Sequence, residues 1–282
     1  MESGNMDKEI EKFINAFNAE AHADFDGLSP EQMHHIIYDP FGLKSPIAFQ
    51  NLEKEDYLKI PMLNLVKYLT NHLQQKGELK LTKLGNLPTK MVSDLYQQGF
   101  IREDHIERGI SKLYKESDSM SVSLSRILLE LSGITKKRHG KLSLTKAGRK
   151  IVSNDQKLLE LLFITFAQNF NWSYFDGYED EHIGQMAMGF SLVLLFKYGD
   201  RPRPANFYAE KYFMAFPNLL LNIQPGYRSQ QEYAAACYAL RTFDRFLQYF
   251  NFISKSGSQF TPAKNTELTT TPLFKKFIQV NQ

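Results

Sequence analysis

The sequence predicts a mainly α-helical protein with small β-hairpins, and three observations lead to this fold class. Apolar residues recur at helical spacing along much of the chain, most clearly in PMLNLVKYLTNHLQQ over residues 61–75. Short alternating segments such as KLSL over residues 141–144 are typical of half-buried strands. A Leu-Thr dipeptide then follows such a segment and precedes another helix at more than one place in the chain.

The clearest of these patterns covers residues 128–152. Gly133 ends a helix, because glycine readily takes the left-handed conformation at a helix C-terminus. Residues 138–140 have the composition of a turn, and residues 141–144 alternate between polar and apolar. Thr145 is placed to cap the next helix. Three apolar residues of that helix are expected to face inward: Ala147, Ile151 and Val152.

A helix, a glycine, a basic hairpin, Leu-Thr-x-x-Gly and a second helix, in this order, resemble the recognition helix, wing and following helix of winged-helix proteins. Helices expected at 87–97, 104–115 and 119–131 would complete the module. The resemblance is therefore best over residues 87–152.

Parts of the same pattern recur on both sides of this module. LTKLGNLP at residues 81–88 matches LTKAGRKI at residues 144–151. A hairpin expected within 253–270 precedes Thr271-Pro272, a good start for a terminal helix. We therefore expect tandem winged-helix-like units on a helical frame, ending near residues 90, 152 and 282, with the hairpin of the first unit reduced to one strand.

This organisation predicts three consecutive segments. Residues 1–86 form an acidic N-terminal helical region ending in a short wing-like strand, residues 87–152 the winged-helix-like unit, and residues 153–282 a helical, aromatic-rich unit ending in a third wing-like hairpin. Residues 1–60 carry 5 Lys and Arg against 12 Asp and Glu, whereas residues 61–150 carry 17 against 8. The basic stretch could face a polyanion or the acidic first segment, and the sequence leaves both open.

The composition bounds the class of protein. No run of about 18 apolar residues predicts a membrane span, and the first residues lack the pattern of a secretory signal. The single cysteine, Cys237, lies in an apolar helical pattern and is expected to be a core residue. We therefore expect a cytoplasmic protein without a membrane partner, a structural zinc site or a cofactor.

Basic residues concentrate in and around the central hairpin, where residues 136–150 contain seven Lys and Arg and no acid. Winged-helix proteins commonly place the wing against a phosphate backbone, so the resemblance implies contacts that do not depend on base sequence. Few residues of the expected recognition helix are suited to reading bases. The candidate nucleic-acid-binding residues are Arg126, Lys136, Lys137, Arg138, Lys141, Lys146, Arg149 and Lys150.

Three functions remain open from the sequence. The first is a non-catalytic, regulatory winged-helix-type protein that contacts nucleic acid through residues 136–150. The second is a protein–protein adaptor in which the hairpins are structural. The third is an enzyme that uses the acidic stretch WSYFDGYEDEH at residues 172–182, although acids at the start of a helix expected over 181–198 explain the same pattern by dipole compensation.

The sequence does not predict a common catalytic motif or a metal site. The chain has no phosphate-binding glycine loop, dinucleotide fingerprint or hydrolase elbow. A metal site is not predicted either, because adjacent histidines on a helix diverge by about 100° and no histidine pair has i, i+4 spacing. The residues considered for it were His22, Asp24, Asp26, His34 and His35. The sequence does not identify a partner, operator, substrate or oligomeric state.

Overall fold

The computed structural model describes residues 3–221, 223, 224, 227, 229–257 and 262–281. The α-helices are α1 (Ser3–Ala19), α2 (Pro30–Tyr38), α3 (Lys54–Tyr57), α4 (Pro61–Lys76), α5 (Thr89–Gln97), α6 (Asp104–Glu107), α7 (Met120–Leu131), α8 (Lys146–Ile151), α9 (Asp155–Ile164), α10 (Met188–Tyr198), α11 (Ala205–Ala215), α12 (Gln230–Tyr238) and α13 (Pro272–Phe277). The strands are β1 (Ile47–Phe49), β2 (Glu78–Lys80), β3 (Thr135–Arg138), β4 (Lys141–Leu144), β5 (Arg203–Pro204), β6 (Ile253–Lys255), β7 (Glu267–Thr270) and β8 (Ile278–Val280).

Helices dominate this list, and the strands form small antiparallel sheets. The predicted fold class, mainly α with small hairpins, is confirmed at this level. None of the helices in the described ranges is both long and apolar enough to cross a membrane.

The described residues form two compact units. The first combines Met1–Gln50, Gly177–Arg245 and Ile253–Gln282, and the second combines Asn51–Asp176 with Phe246–Phe252. These units differ from the three consecutive segments expected from the sequence. The reason is a long-range pairing, since β1 near the N-terminus lies antiparallel to β8 at the end of the chain.

The second unit is built on α4, α5 and α7 and on a three-stranded sheet. Its elements follow the order helix α4, strand β2, helix α5, helix α7, hairpin β3–β4 and helix α8. The strands lie in the order β2-β4-β3, with β4 in the centre. The core of this unit holds apolar side chains that are fully buried: Leu63, Leu69, Val92, Leu124, Leu128 and Leu142.

The position of β2 corrects one expectation. We predicted that this strand is the reduced wing of a separate unit ending near residue 90. Instead β2 pairs with β4, with Leu79 opposite Leu142, and completes the sheet of the hairpin. Residues 78–90 therefore form no separate sheet. The other three-stranded sheet of the described residues is formed by β5, β6 and β7.

The first unit contains that second sheet, in an order that parallels the other. Helix α10, strand β5, helices α11 and α12, hairpin β6–β7 and helix α13 follow one another, and the strands lie in the order β5-β7-β6. Residues 258–261, which belong to the hairpin expected there, lie outside the described residues. Aromatic side chains fill this core: Tyr208, Tyr212, Tyr238, Phe243 and Phe274 are buried.

Capping bonds fix the starts of several helices. Ser29 forms a reciprocal capping box with Gln32 ahead of α2, with Pro30 as the first helical residue. The hydroxyl of Ser119 accepts the Val122 amide at the start of α7. Such bonds satisfy amides that have no partner within the helix itself.

Other expected helices were wrong in extent. The helix expected at 104–115 is only α6, four residues long, and Gly109 beyond it has a positive φ of 69° that ends the turn. The helix expected at 181–198 begins at Met188, because residues 181–187 form turns. In α8 the apolar residues do not turn fully inward, since Ala147 is exposed while Gly148 is buried.

Candidate nucleic-acid interface

The β3–β4 hairpin is closed by a two-residue turn. His139 and Gly140 have φ values of 50° and 70°, both in the left-handed region. Two consecutive residues of positive φ match the twist of antiparallel strands and make a tight hairpin. The strands therefore extend to Arg138 and Lys141, whose Cα atoms are directly paired next to the turn.

The strand register sorts the cations of the sheet onto one surface. Directly paired residues share a face of a sheet, and successive residues of a strand alternate between faces. Leu142 and Leu144 are buried, so the other face is the outer one. On it, Lys80 pairs with Lys141, which also pairs with Arg138. We call Lys80, Lys136, Arg138 and Lys141 the basic sheet face; all four are exposed.

One acid opposes the basic sheet face. Glu78 pairs in register with Ser143 on the same face and forms an ion pair with Lys141. The Arg138 Nε donates to His139 Nε2 at 3.2 Å. Among the described residues, Lys80, Lys136 and Arg138 form no ion pair, so most of the positive charge on this face is not neutralised by the surrounding unit.

Lys137 points to the other side of the sheet. It lies in register with Leu142 and Leu79 on the inner face, at its exposed edge. Its Nζ lies 3.3 Å from Oε2 of Glu130 on α7. Lys137 is thus a predicted site residue that connects the hairpin to α7 and lies apart from the basic sheet face.

Helix α8 presents a second group of cations. The Thr145 hydroxyl accepts the Gly148 amide at 2.8 Å, which confirms the predicted cap. Lys146, Arg149 and Lys150 have i, i+3 and i+4 spacing, which places them on one side of a helix. All three are exposed and have no ion pair within the described ranges. We call them the α8 basic face.

Gly148 explains why this helix can follow the hairpin so closely. A Cβ built on Gly148 would lie 2.1 Å from the carbonyl oxygen of Ile134, the residue before β3. Only glycine permits this approach of the α8 backbone to the start of the hairpin. The glycine of the Leu-Thr-x-x-Gly pattern therefore fixes the position of the α8 basic face relative to the sheet.

Arg126 is the one predicted site residue that the structure buries. Its guanidinium contacts Glu116 through Nε and Glu130 through Nη1, each at 2.5 Å, and the residue is 7% exposed. Burial alone would lower the pKa of Arg126, but the two carboxylates hold it above its usual range. Arg126 is committed to ion pairs inside the unit and presents no free surface.

The part of α7 that follows Met120 in its N-terminal half is buried with it. Every residue from Ser121 to Arg126 is less than one-tenth exposed, so all sides of the helix are covered there. A helix that reads bases must expose a face to the major groove. Residues 121–126 of α7 present no such face in this structure.

Two residues that contribute to this arrangement were missed in the sequence. Lys80 belongs to the basic sheet face only because β2 pairs with a strand about sixty residues away. Glu116 covers Arg126 from outside its helix. The i, i+4 spacing of Arg126 and Glu130 was a local signal for an ion pair, but no local pattern indicated Glu116.

The acidic stretch at residues 172–182 has structural contacts. Trp172 is buried and its Nε1 donates to the Phe166 carbonyl at 2.7 Å. Oδ1 of Asp180 accepts the amides of His182 and Ile183 at 2.7 and 2.9 Å, and so shapes the turns before α10. We expected these acids to compensate the dipole of a helix that starts at residue 181. They do not, because α10 begins at Met188.

Asp26, one of the residues considered for a metal site, is held by cations instead. Its carboxylate lies 2.8 Å from Lys197 and 2.5 Å from Lys211. Burial would raise the pKa of Asp26, but hydrogen bonds from Lys197, Lys211 and Tyr198 hold it below its usual range. In the part of the chain that the structure describes, no three His, Cys, Asp or Glu side chains are grouped to hold a metal ion.

Comparison with known proteins gives one similarity. Residues 59–157 match a family described as the Y4jL N-terminal domain. The match begins just before α4 and ends within α9, so it contains the sheet, α7 and α8 of the second unit. The searches of curated proteins and of solved structures gave no match. The chain is thus similar to the Y4jL N-terminal domain over the segment that carries both basic faces.

Proposed function

We propose that this chain is a non-catalytic, winged-helix-type protein that binds the phosphate backbone of nucleic acid through the basic sheet face and the α8 basic face. The winged-helix assignment is supported by the order α4, β2, α5, α7, hairpin, α8 and by the central position of β4 between β2 and β3. The same order of elements around β5, β6 and β7 supports a second such unit.

One observation carries the proposal: seven exposed cations lie on two faces next to a tight hairpin, and among the described residues a single ion pair, between Glu78 and Lys141, opposes them. Clustered Lys and Arg of this kind bind phosphates and release condensed counterions, which makes the affinity depend on salt. The cations are Lys80, Lys136, Arg138, Lys141, Lys146, Arg149 and Lys150.

The buried state of α7 defines what this contact can recognise. Phosphate contacts position a protein on nucleic acid but carry no direct sequence information. Because residues 121–126 of α7 expose no base-reading face, binding in this conformation depends on charge and backbone shape. We therefore propose a binding protein with little sequence preference.

Charge reversal on the basic sheet face tests the proposal. Lys136→Glu with Arg138→Glu changes two exposed cations that have no acidic partner in the described residues. Binding of a fluorescent, random-sequence duplex of about 20 base pairs is measured by anisotropy. We expect the affinity to fall about tenfold or more and the slope of log K against log salt concentration to become shallower by about two.

A matched variant controls for net charge. Lys8→Glu with Lys12→Glu makes the same change of charge on the exposed surface of α1, far from the hairpin in sequence. The proposal predicts duplex binding close to that of the wild type for this control. Equal losses in both variants, or no loss in either, would show that the basic sheet face is not the contact surface.

The protein–protein adaptor is a second candidate, and the exposed apolar residues of the second unit favour it. Leu84, Ile110 and Tyr114 are 88%, 72% and 61% exposed. Large apolar side chains on a surface can mark a contact with another protein when they are contiguous. This alternative predicts no salt-dependent duplex binding by the wild-type protein and no effect of the two charge reversals on its stability.

A further inference from the structure

The segment of residues 99–118 contacts the first turn of α7 and Arg126 through two buried side chains. Of its residues, only Glu103 and Glu116 are buried, and both are carboxylates. Its apolar side chains are partly or largely exposed, and Ile110 and Tyr114 are among the most exposed of the unit. We call residues 99–118 the cover segment.

Glu103 fastens the cover segment to the first turn of α7. Its Oε1 accepts from the hydroxyls of Ser119 and Ser121 at 2.6 and 2.7 Å, and from the Ser121 amide at 3.0 Å. Its Oε2 accepts the Met120 amide at 3.0 Å. One carboxylate thus receives four hydrogen bonds from the helix start.

Glu116 fastens the other end of the cover segment. Its Oε1 contacts Nε of Arg126, and its Oε2 accepts the Leu87 amide. A third contact lies between them, where the Tyr96 hydroxyl accepts the Glu103 amide at 3.0 Å and donates to Glu107 at 2.9 Å. All these attachments are polar.

Polar attachments without a buried apolar anchor favour opening as a unit. Segments that bury little apolar surface open locally without global unfolding. Gly99 and Gly109, with φ values of 72° and 69°, break the helical path on either side of α6. Opening would separate Ser119 and Ser121, at the start of α7, from Glu103 and would release Arg126 from Glu116.

We propose that the cover segment is a displaceable autoinhibitory element that hides α7 from nucleic acid. This proposal rests on the proposed function and adds its regulation. In the closed state the basic sheet face and the α8 basic face hold the backbone alone. In the open state α7, with Arg126, contributes further contacts, and a ligand that binds the open state more tightly shifts the equilibrium toward it.

Hydrogen exchange measures the opening directly. In the wild-type protein at moderate denaturant, the amides of Met120 and Ser121, which donate to Glu103, should exchange through a local opening. The amides of Leu124 and Leu128, later in α7, should exchange more slowly, by about tenfold or more. Saturating duplex should accelerate exchange at Met120 and Ser121 by about threefold or more, because it favours the open state.

Two glutamine variants provide the second test, with a third as control. Glu103→Gln and Glu116→Gln keep the side-chain size but remove the negative charge of the carboxylate that accepts the hydrogen bonds of the cover segment to its neighbours. Each should speed exchange at Met120 or at Leu87 respectively, and raise duplex affinity by about threefold or more. Asp104→Asn, at an exposed carboxylate of the same segment that forms an ion pair with Arg108 at 3.7 Å, should change neither.

The outcomes separate this inference from the proposed function. Slower or unchanged exchange at Met120 on adding duplex, or faster exchange in Glu103→Gln without a gain in affinity, would overturn the autoinhibitory role. Absence of salt-dependent binding by the wild-type protein would overturn the proposed function itself. If Glu116→Gln does not fold, the wild-type exchange experiment still decides the question.

Discussion

Arg126 and Glu116 form a buried ion pair in which Nε of the arginine lies 2.5 Å from Oε1 of the glutamate. The pair joins α7 to the segment that covers it, and it removes Arg126 from the surface where the sequence placed it. Both residues are more than nine-tenths buried, so neither charge has water as an alternative partner. The stability of the second unit therefore depends on keeping the pair intact.

Removing one partner of this pair should be costly. Arg126→Met leaves the Glu116 carboxylate buried, with the Leu87 backbone amide as the remaining donor to this side chain among the described residues, and should lower the free energy of unfolding by about 3–4 kcal/mol. The double change Arg126→Met with Glu116→Leu should cost clearly less than the sum of the two single changes, because no unpaired charge remains. Urea unfolding of the three variants measures this, and simple additivity would contradict the account.

Gly148 should not tolerate a side chain. Gly148→Ala would place Cβ 2.1 Å from the Ile134 carbonyl oxygen, so α8 and the start of the hairpin must separate. We expect a loss of about 2–3 kcal/mol in thermal or urea unfolding. Gly177→Ala is the matched control, because nothing lies within 4 Å of its Cβ position, and it should change stability by about 0.5 kcal/mol or less. Similar values for both variants would contradict the close approach.

Tyr208 predicts an alkaline effect. Burial raises the pKa of Tyr208 to about 12, and its hydroxyl is buried without a hydrogen-bond partner among the described residues. A pKa raised above the unfolded value of about 10 stabilises the folded state fully below pH 10, and this stability is lost as the pH rises toward 12. Tyr208→Phe should be as stable as the wild type or more so at pH 7, and should lose less stability between pH 10 and 12.

Urea unfolding of Tyr208→Phe and the wild type at pH 7 and at about pH 11 measures both the stability at neutral pH and its loss at alkaline pH. Tyr96→Phe is the comparison, since the pKa of Tyr96 is also raised to about 12 by burial but its hydroxyl both accepts and donates a hydrogen bond. That variant should lose stability at pH 7. An unstable Tyr208→Phe protein at pH 7 would show that its hydroxyl has a partner.

The lowered pKa of Asp26 predicts that the protein loses stability at acid pH. Its pKa is lowered below 3.8, so its ion pairs stabilise the protein above that pH, and the contribution is lost as the pH falls through the lowered value. Asp26→Asn should cost about 1–2 kcal/mol at pH 7, a modest amount because Lys197 and Lys211 remain partly in water. Asp24→Asn, an exposed neighbour, should have no measurable effect in the same unfolding experiment.

Local chemistry explains which parts of the fold were predictable. Thr145 as a cap and Gly133 as a helix end depend on a few neighbouring residues, and each was predicted from them. The turn at residues 138–140 was likewise predicted from its composition. These features placed the hairpin and α8, and hence the six predicted cations that lie on the two basic faces: Lys136, Arg138, Lys141, Lys146, Arg149 and Lys150.

The remaining features depend on distant pairing and burial. Lys80 joins the basic sheet face through the pairing of β2 with β4, and β1 meets β8 from opposite ends of the chain. Glutamates are almost always exposed unless they are paired, so the burial of Glu103 and Glu116 had no signal in the sequence. The contacts of these two glutamates with the first turn of α7 and with Arg126 could therefore not be predicted without the structure.

The central claim is that the two basic faces bind a phosphate backbone, and the salt dependence of duplex binding by the wild-type protein tests it most directly. Anisotropy titrations between about 50 and 200 mM salt give the slope of log K against log salt concentration. With four or more of the seven cations engaged, we predict a slope of about −4 or steeper. A slope near zero, or no binding at the lowest salt, would contradict the account.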